Sequence, residues 1–441
     1  MRIAVWHNLP SGGGKRALYD QVCGLVSRGH EVEVWCPPSA DRSYLPLNKI
    51  VPEHVVPLKL GPYLDSSAGF GRRLHPFRWC PWARLREMNQ HSRECARQIT
   101  SKGFDVLFAA CCVFFHTPPI ARFVKIPSFI YLQEPSRSFY ESLPELPWLA
   151  MSWTAKDLLH ARFWREASIR RARLWRIRVL GREERRNALA FDQIFVNSFF
   201  SRESVLRAFG IDSRVCYLGV DSDKFVNQNK KREPFAVSVG ALVPEKNTEF
   251  LVRAVGKVSA SLRPKLLLIA NTIDPRCLDQ IRKVAQQLEV IVEVKYRVED
   301  MELIDTLNRA RMMLYASRLE PFGYAPLEAN ACGLPVVAVA EGGVRETVHE
   351  GVNGILVEHD PQSMADAIQR LLEDNVLHQR LSQQAADHVR ARWSLPSSID
   401  RLEQKLSTKL RGMRRDVDSA EIFDPPPVRC ATVTIVPTRS Q

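Results

Sequence analysis

At 441 residues the chain is too long for a single typical core, so two domains and a tail are expected. Hydrophobic residues at 45% and charged residues at 25% match an ordinary globular protein, and no stretch approaches the roughly 18 apolar residues of a membrane span. The net charge of +13 implies a negatively charged partner, with nucleic acid, an anionic membrane surface and a phosphorylated substrate all open. Ten scattered cysteines, with Cys111 and Cys112 adjacent, exclude a CxxC redox pair and a zinc knuckle and fit reduced thiols. No secretory leader is visible, because Met1-Arg2-Ile3-Ala4-Val5-Trp6 runs straight into an apolar strand. A cytoplasmic protein is therefore expected, with room for a peripheral place on the inner face of the cell membrane.

The predicted elements begin with a strand over residues 3–6, the loop 8–15 rich in glycine, a helix over 16–27 and a strand over 31–36. That β-loop-α-β unit opens a parallel sheet, continued by strands over 106–110, 128–132 and 193–196. The second half repeats the pattern: a strand over 235–239, a loop over 240–247, a helix over 248–259 and a strand over 265–270. Further strands follow at 312–316, 336–339 and 354–357. The fold class is thus α/β, with two Rossmann-like doubly wound domains facing each other across a cleft. The expected boundaries are 1–220, 221–395, a helix over 396–411 and a disordered tail over 412–441, where Pro425-Pro426-Pro427 stands.

The densest information lies between Ser317 and Gly354. Glu320 stands on a loop at the carboxyl end of a strand, and Glu328 early in the following helix, where open α/β sheets place ligands. A carboxylate accepts paired hydrogen bonds, which suits the vicinal hydroxyls of a sugar or ribose. One strand later, Gly342-Gly343 precedes a helix whose free N–H groups and dipole suit a phosphate, and Lys246 could add a point charge to it.

Glu320-Pro321-Phe322-Gly323, Glu328-Ala329 and Cys332-Gly333-Leu334-Pro335-Val336-Val337 resemble the signature of the retaining glycosyltransferases of family 4, group 1, which have the GT-B fold. The likeness continues through Gly342-Gly343, Glu346 and Gly351-Val352-Asn353-Gly354, and upstream in Asn197-Ser198, 217–221 and Phe225. Gly12-Gly13-Gly14 through Val32 resembles the family's opening less strictly. The resemblance implies that Glu328 binds the nucleotide ribose, Glu320 binds the transferred sugar, and backbone near Phe322-Gly323 closes around it. It implies that Lys246 neutralises the leaving diphosphate while Gly13 and Gly14 approach it from the first domain. The reaction implied retains anomeric configuration, uses no metal and no cofactor beyond a UDP- or GDP-linked sugar donor, and works by stabilising the leaving group. One departure stands out: Ala241 follows Gly240 where the family has an Arg that shares the diphosphate. Either another cation such as Arg318 or Lys15 substitutes, or the enzyme is slow, or it is inactive.

The first domain is expected to hold the acceptor, a glycan or lipid-linked molecule, in cell-surface polysaccharide synthesis. His116, Gln133 and Arg137 follow strands there and are the acceptor-side candidates, although His116 serves equally well by satisfying loop carbonyls. Residues 156–186 hold eleven Lys or Arg against four Asp or Glu, with Trp164 and Trp175 inside and Trp148 and Trp153 nearby. A second Trp- and Arg-rich stretch spans 70–86. Such a basic, aromatic helix suits an anionic membrane surface, or is a solvated face, and no nucleic-acid module is present. The rival functions are a GT-B-shaped sugar-nucleotide-binding subunit without turnover and an epimerase, which would not carry the Glu320/Glu328 pattern. Asn271, Arg297, Val298 and Tyr324 are expected to shape base and sugar selectivity.

Overall fold

The computed structural model describes residues 1–59, 81–141 and 152–420. Its first half is built on β1 (Arg2–Asn8), β2 (Glu31–Cys36), β3 (Glu53–Val55), β4 (Val106–Cys112), β5 (Ser128–Tyr131), β6 (Gln193–Val196) and β7 (Arg214–Val215). These lie in the order β3-β2-β1-β4-β5-β6-β7, each pair parallel. The second half is built on β8 (Phe235–Val239), β9 (Lys265–Ala270), β10 (Val292–Tyr296), β11 (Met312–Tyr315), β12 (Val336–Val339) and β13 (Gly354–Val357). Their order is β10-β9-β8-β11-β12-β13, again parallel throughout. Both expected Rossmann-like sheets are present.

Parallel strands need crossover helices, and helices on both faces bury the strands on both sides. Accordingly β5 and β12 are buried along their whole length. The strands that sequence reading passed over, β3, β7 and β10, are sheet edges; β3 and β7 are very short, and β10 is half exposed. In each sheet the strand order reverses beside the first strand, between β1 and β4 and between β8 and β11. That reversal opens a crevice beyond the carboxyl ends of the strands, where α/β proteins place ligands.

The helix Gly13–Ser27 starts three residues before the position the sequence suggests, with Gly13 and Gly14 in its first turn. Its apolar stripe, Ala17, Leu18, Val22 and Leu25, docks on the sheet, and that burial outweighs the poor helix propensity of two glycines. It ends at Arg28 before Gly29, whose φ of +79° a residue with a side chain rarely adopts. The helix Phe199–Phe209 is capped by Ser198, whose side chain accepts from the Ser201 N–H, and it ends at left-handed Gly210.

The chain crosses between the halves twice, side by side. The Val220 N–H donates to the Trp393 carbonyl at 2.8 Å and the Leu395 N–H donates back to the Val220 carbonyl at 2.9 Å. The helix Leu395–Ala420 thereby begins against the first half: Ser398 Oγ donates to the Tyr217 carbonyl at 3.0 Å, and Ile399 lies against Gly24. This helix continues past residue 411, where a tail was expected, to Ala420. Residues 402–441 form a separate compact unit whose described part is the helical stretch 402–420. Residues 60–80, 142–151 and 421–441, which include most of the stretch 70–86, Trp148 and the end of the expected tail, lie outside the described residues.

Gly219 makes the double crossing possible, because a β-carbon there would come within 2.5 Å of the Ser394 carbonyl oxygen and 2.8 Å of Leu395 Cα. Both obstacles are backbone and cannot swing aside. Gly219→Ala is expected to lower the free energy of unfolding by about 1–3 kcal/mol, read from the urea midpoint at unchanged m-value.

Candidate functional site

Three loops at the carboxyl ends of β8, β11 and β12 meet at the crevice of the second sheet. The first, 240–247, ends in a short turn Pro244–Lys246 closed by Asn247 in a left-handed conformation. This turn brings the Lys246 ammonium to Glu320 on the second loop, Nζ to Oε2 at 2.5 Å, and Ser317 Oγ donates to the same oxygen at 2.7 Å. Burial pushes the Glu320 carboxyl upward, but Lys246, Ser317 and Arg137 outweigh it and hold it below the usual carboxylate value. Beside the pair lies a narrow pocket lined by Gly240, Ala241, Thr248, Tyr315 and Ser317.

The third loop supplies Gly342 and Gly343. A β-carbon on Gly342 would meet the Glu320 carbonyl oxygen at 2.4 Å, and one on Gly343 would meet the Pro321 carbonyl oxygen at 2.1 Å. The glycines are therefore required for one loop to nest on the other. The Gly343 N–H is spent on the Glu320 carbonyl at 2.7 Å, and the helix that follows, Val344–Thr347, is only one turn long. Gly323 has φ of +98° and opens the helix Tyr324–Ala331, whose buried Glu328 faces the first half. Phe322 is buried, its ring edge-on to Tyr324 and Trp393.

From the first half, Arg16 reaches across and pairs with Glu328, with Asp300 3.7 Å away. Glu328 is buried, which raises its carboxyl, while Arg16 pulls it back down. Asp20, one turn after Arg16, is pushed up to about 7 by burial, with Arg16 opposing and Asp221 and Glu328 adding to the rise. Arg16 and Asp20 were not anticipated. The signal was present: Lys15, Leu18 and Val22 share the buried stripe, which leaves Arg16 and Asp20 on its cleft-facing border.

Gly13 and Gly14 line the same cleft. A β-carbon on Gly13 would lie 3.7 Å from the Tyr324 ring, and one on Gly14 would lie 3.1 Å from the Gln133 amide. His116 Nδ1 sits 3.0 Å from the Glu134 carbonyl, so one ring nitrogen is occupied by a loop carbonyl. Behind it the buried Glu184 carboxyl is pushed up to about 7 by burial, with His116 acting against the rise. Arg137 is fully engaged: Nε on Glu134 at 2.7 Å, Nη1 on the Arg318 carbonyl at 3.1 Å and Nη2 on the Leu319 carbonyl at 2.5 Å.

Of the two cations suggested as substitutes at Ala241, Lys15 is buried away from the cleft and Arg318 is paired through one nitrogen. Lys15 is fully buried beneath the loop, 3.4 Å from His7 Nε2, and burial lowers its pKa despite Glu53, Cys36 and Asp41 nearby. His7, Cys36 and Glu53 gather their ligand-type atoms within 4.8 Å of one another, and Lys15 already supplies the positive charge there. Arg318 pairs through Nε with Glu341 at 2.8 Å.

With this geometry in place, comparison with known proteins is informative. A sequence profile described as Glycosyltransferase Family 4 matches residues 11–224, and one described as Glycosyl transferases group 1 matches residues 220–388. Together they take in both halves and the crevice between them. The chain belongs to the group 1, family 4 glycosyltransferases. This glycosyltransferase has the GT-B fold, two facing Rossmann-like halves. It superimposes on the crystal structure of Anabaena HepE in complex with UDP and glucose with a TM-score of 0.65 at 18% identity, covering 92% of this chain and 99% of that one. With sucrose-phosphate synthase from Thermosynechococcus elongatus the TM-score is 0.67 at 16% identity, covering 93% and 100%. In sequence it is 38% identical over 141 residues to a D-inositol 3-phosphate glycosyltransferase of Catenulispora acidiphila, which is 31% of this chain and 33% of that protein. It is 27% identical over 213 residues to a GDP-mannose-dependent monoacylated alpha-(1-6)-phosphatidylinositol monomannoside mannosyltransferase of Corynebacterium glutamicum, 46% of this chain and 55% of that protein. The chain spans between a third and just over half the length of these curated relatives. Among the described residues, no helix of the glycosyltransferase is long and apolar enough to cross a membrane.

The raised Asp20 carboxyl has a definite sign in stability. The folded state holds that proton up to about pH 7 and an unfolded chain only to about pH 4, so the contribution favours folding at low pH and fades as pH rises through that window. Relative to Asp20→Asn, the wild type is expected to lose up to about 1.4 kcal/mol of unfolding free energy per pH unit between about pH 4 and 7, then to level off. Urea titrations of both proteins across that range check the slope.

Proposed function

We propose that this glycosyltransferase moves a hexose-type sugar from a UDP- or GDP-linked donor to a glycan or lipid-linked acceptor, retaining anomeric configuration and using no metal. The observation that carries the reading is the contact of Lys246 and Ser317 with Glu320 at the strand-order reversal, with Glu328 facing the same cleft. Each carboxylate is paired with a cation, Glu320 with Lys246 and Glu328 with Arg16. Binding of a donor would exchange these partners. The Lys246 ammonium turns to the diphosphate, and Glu320 then accepts from sugar hydroxyls while Glu328 accepts from the ribose. As the glycosidic bond lengthens, negative charge grows on the leaving diphosphate, and Lys246 stabilises it. The relative named as a GDP-mannose-dependent mannosyltransferase, and the fold neighbour solved with UDP, support a nucleotide-sugar donor.

A second reading is favoured by Ala241. With Ala241 in place of the family's Arg, Lys15 buried and Arg318 turned through Nε to Glu341, a sugar-nucleotide-binding subunit of little or no turnover is the alternative. A panel of UDP- and GDP-sugars, with and without EDTA, separates the readings. Transfer predicts nucleotide release insensitive to EDTA, product of unchanged anomeric configuration by NMR, and kcat lowered about 10²–10³-fold by Lys246→Ala. Glu328→Ala is expected to abolish donor turnover. Tight nucleotide binding without release would favour the subunit.

The acceptor class rests on the helix Ala161–Ala188. Its last turns bury one face, but the rest is exposed and basic, with Trp164, Ile169 and Trp175 exposed along it beside exposed Trp153 and Leu159. A strongly basic surface with interfacial aromatics suits anionic headgroups, which would bring a lipid-linked acceptor to the cleft. In flotation assays the full chain should bind vesicles containing anionic lipid at low salt and be released as salt rises. Trp164→Ser with Trp175→Ser should weaken binding at constant charge, and an absence of binding at low salt removes the membrane partner.

A further inference from the structure

The loop that carries Glu320 is fastened by four consecutive backbone carbonyls. Arg318 O accepts from Arg137 Nη1 at 3.1 Å, Leu319 O from Arg137 Nη2 at 2.5 Å, Glu320 O from the Gly343 N–H at 2.7 Å and Pro321 O from Ser198 Oγ at 2.6 Å. Three of these four contacts come from the first half of the molecule. Between them Leu319 holds φ of +48°, a left-handed conformation that a leucine leaves readily when nothing holds it. The fork is itself aimed by acids of its own half, since Arg137 Nε donates to Glu134 and lies 3.8 Å from Glu141. Its side chain is 19% exposed, so it is built into the interface rather than free to meet a ligand.

We infer that Arg137 is a positioning residue which sets the shape of the Glu320 loop from the opposite half. The donor-side carboxylate then stands in working geometry only while the two halves are closed on each other. The inference rests on the nucleotide-sugar reading above for what Glu320 meets, but the clamp itself is a statement about the loop. The planar guanidinium suits this task because its two terminal nitrogens can donate to adjacent carbonyls at once, whereas an ammonium supplies a single compact centre. The segment that bears Arg137 also bears Gln133, whose amide faces Gly14 in the cleft, so occupancy of the first half and the posture of Glu320 are mechanically joined.

The test compares full-length wild type, Arg137→Ala and Arg137→Lys by two independent measurements. Hydrogen exchange followed by mass spectrometry or NMR reads the loop directly. The Arg318 N–H donates to the Glu245 carbonyl and the Gly343 N–H to the Glu320 carbonyl, so both should exchange at least about tenfold faster in Arg137→Ala, while β9 in the second sheet is unchanged. Steady-state kinetics with a donor that turns over should show kcat reduced about tenfold or more at an acceptor KM within about twofold, and partial recovery in Arg137→Lys. Unchanged exchange at both amides overturns the proposal, and so does a raised acceptor KM at unchanged kcat, which would mark Arg137 as an acceptor ligand. If the wild type turns over no nucleotide sugar, that reading fails and exchange alone still decides the clamp. If Arg137→Ala does not fold, the exchange of Arg137→Lys decides it.

Discussion

The seating of Gly342-Gly343 on the backbone of Glu320 and Pro321 is the contact from which the rest of the cleft takes its geometry. Only residues without a β-carbon let the loop after β12 approach the loop after β11 so closely, and the Gly343 N–H then ties them together. Together with the donations of Arg137 and Ser198 to the same loop, that seating holds Glu320 toward Lys246 and Ser317. It also brings Glu346, three residues further on, to the start of the helix Phe199–Phe209 in the first half. There Glu346 accepts from the N–H groups of Phe199 and Phe200 at 2.9 and 3.0 Å and from Tyr217 at 2.8 Å. A carboxylate at a helix N-terminus satisfies otherwise unpaired donors and meets the positive end of the helix dipole. The double glycine therefore organises the second half locally and docks it on the first.

Electrostatics explains the remainder of the cleft. Carboxylates buried without partners would protonate or drive the halves apart, and the chain avoids both by pairing Glu328 with Arg16 and Glu320 with Lys246. On the proposed reading such pairs would exchange, an incoming diphosphate competing for the ammonium and an incoming hydroxyl for the carboxylate. Asp20 sits at the margin of this arrangement, held protonated to near neutral pH by burial. Lys15, one residue before Arg16, turns instead into the first half, where His7, Cys36 and Glu53 surround it. Adjacent cations on one helix thus serve different purposes, one internal to a domain and the other between domains.

Much of the architecture was legible in the residues. β2, β6, β8, β9, β12 and β13 stand where the sequence pattern placed them, because β6, β9 and β12 are nearly continuous apolar runs and β2 alternates polar and apolar residues before Trp35-Cys36. The edge strands were not legible, since two or three half-exposed residues carry no period. Glu320 and Glu328 could be placed at a strand end and an early helical turn, which is a local property of the chain.

The amino-acid sequence by itself determined the two doubly wound sheets, the order of the loops at their carboxyl ends and the acidic pair those loops present. What each charged side chain meets was decided only by the tertiary structure. Arg137, an acceptor-side candidate, donates to the Arg318 and Leu319 carbonyls; Lys15 is buried; Arg16 is the cation on Glu328. The physical reason is that strand and helix formation follow short-range periodicity, whereas these contacts join residues far apart in the chain. They depend on how two independent sheets meet, which the missing β-carbon of Gly219 allows at the double crossing and those of Gly342 and Gly343 allow between the loops of the second half.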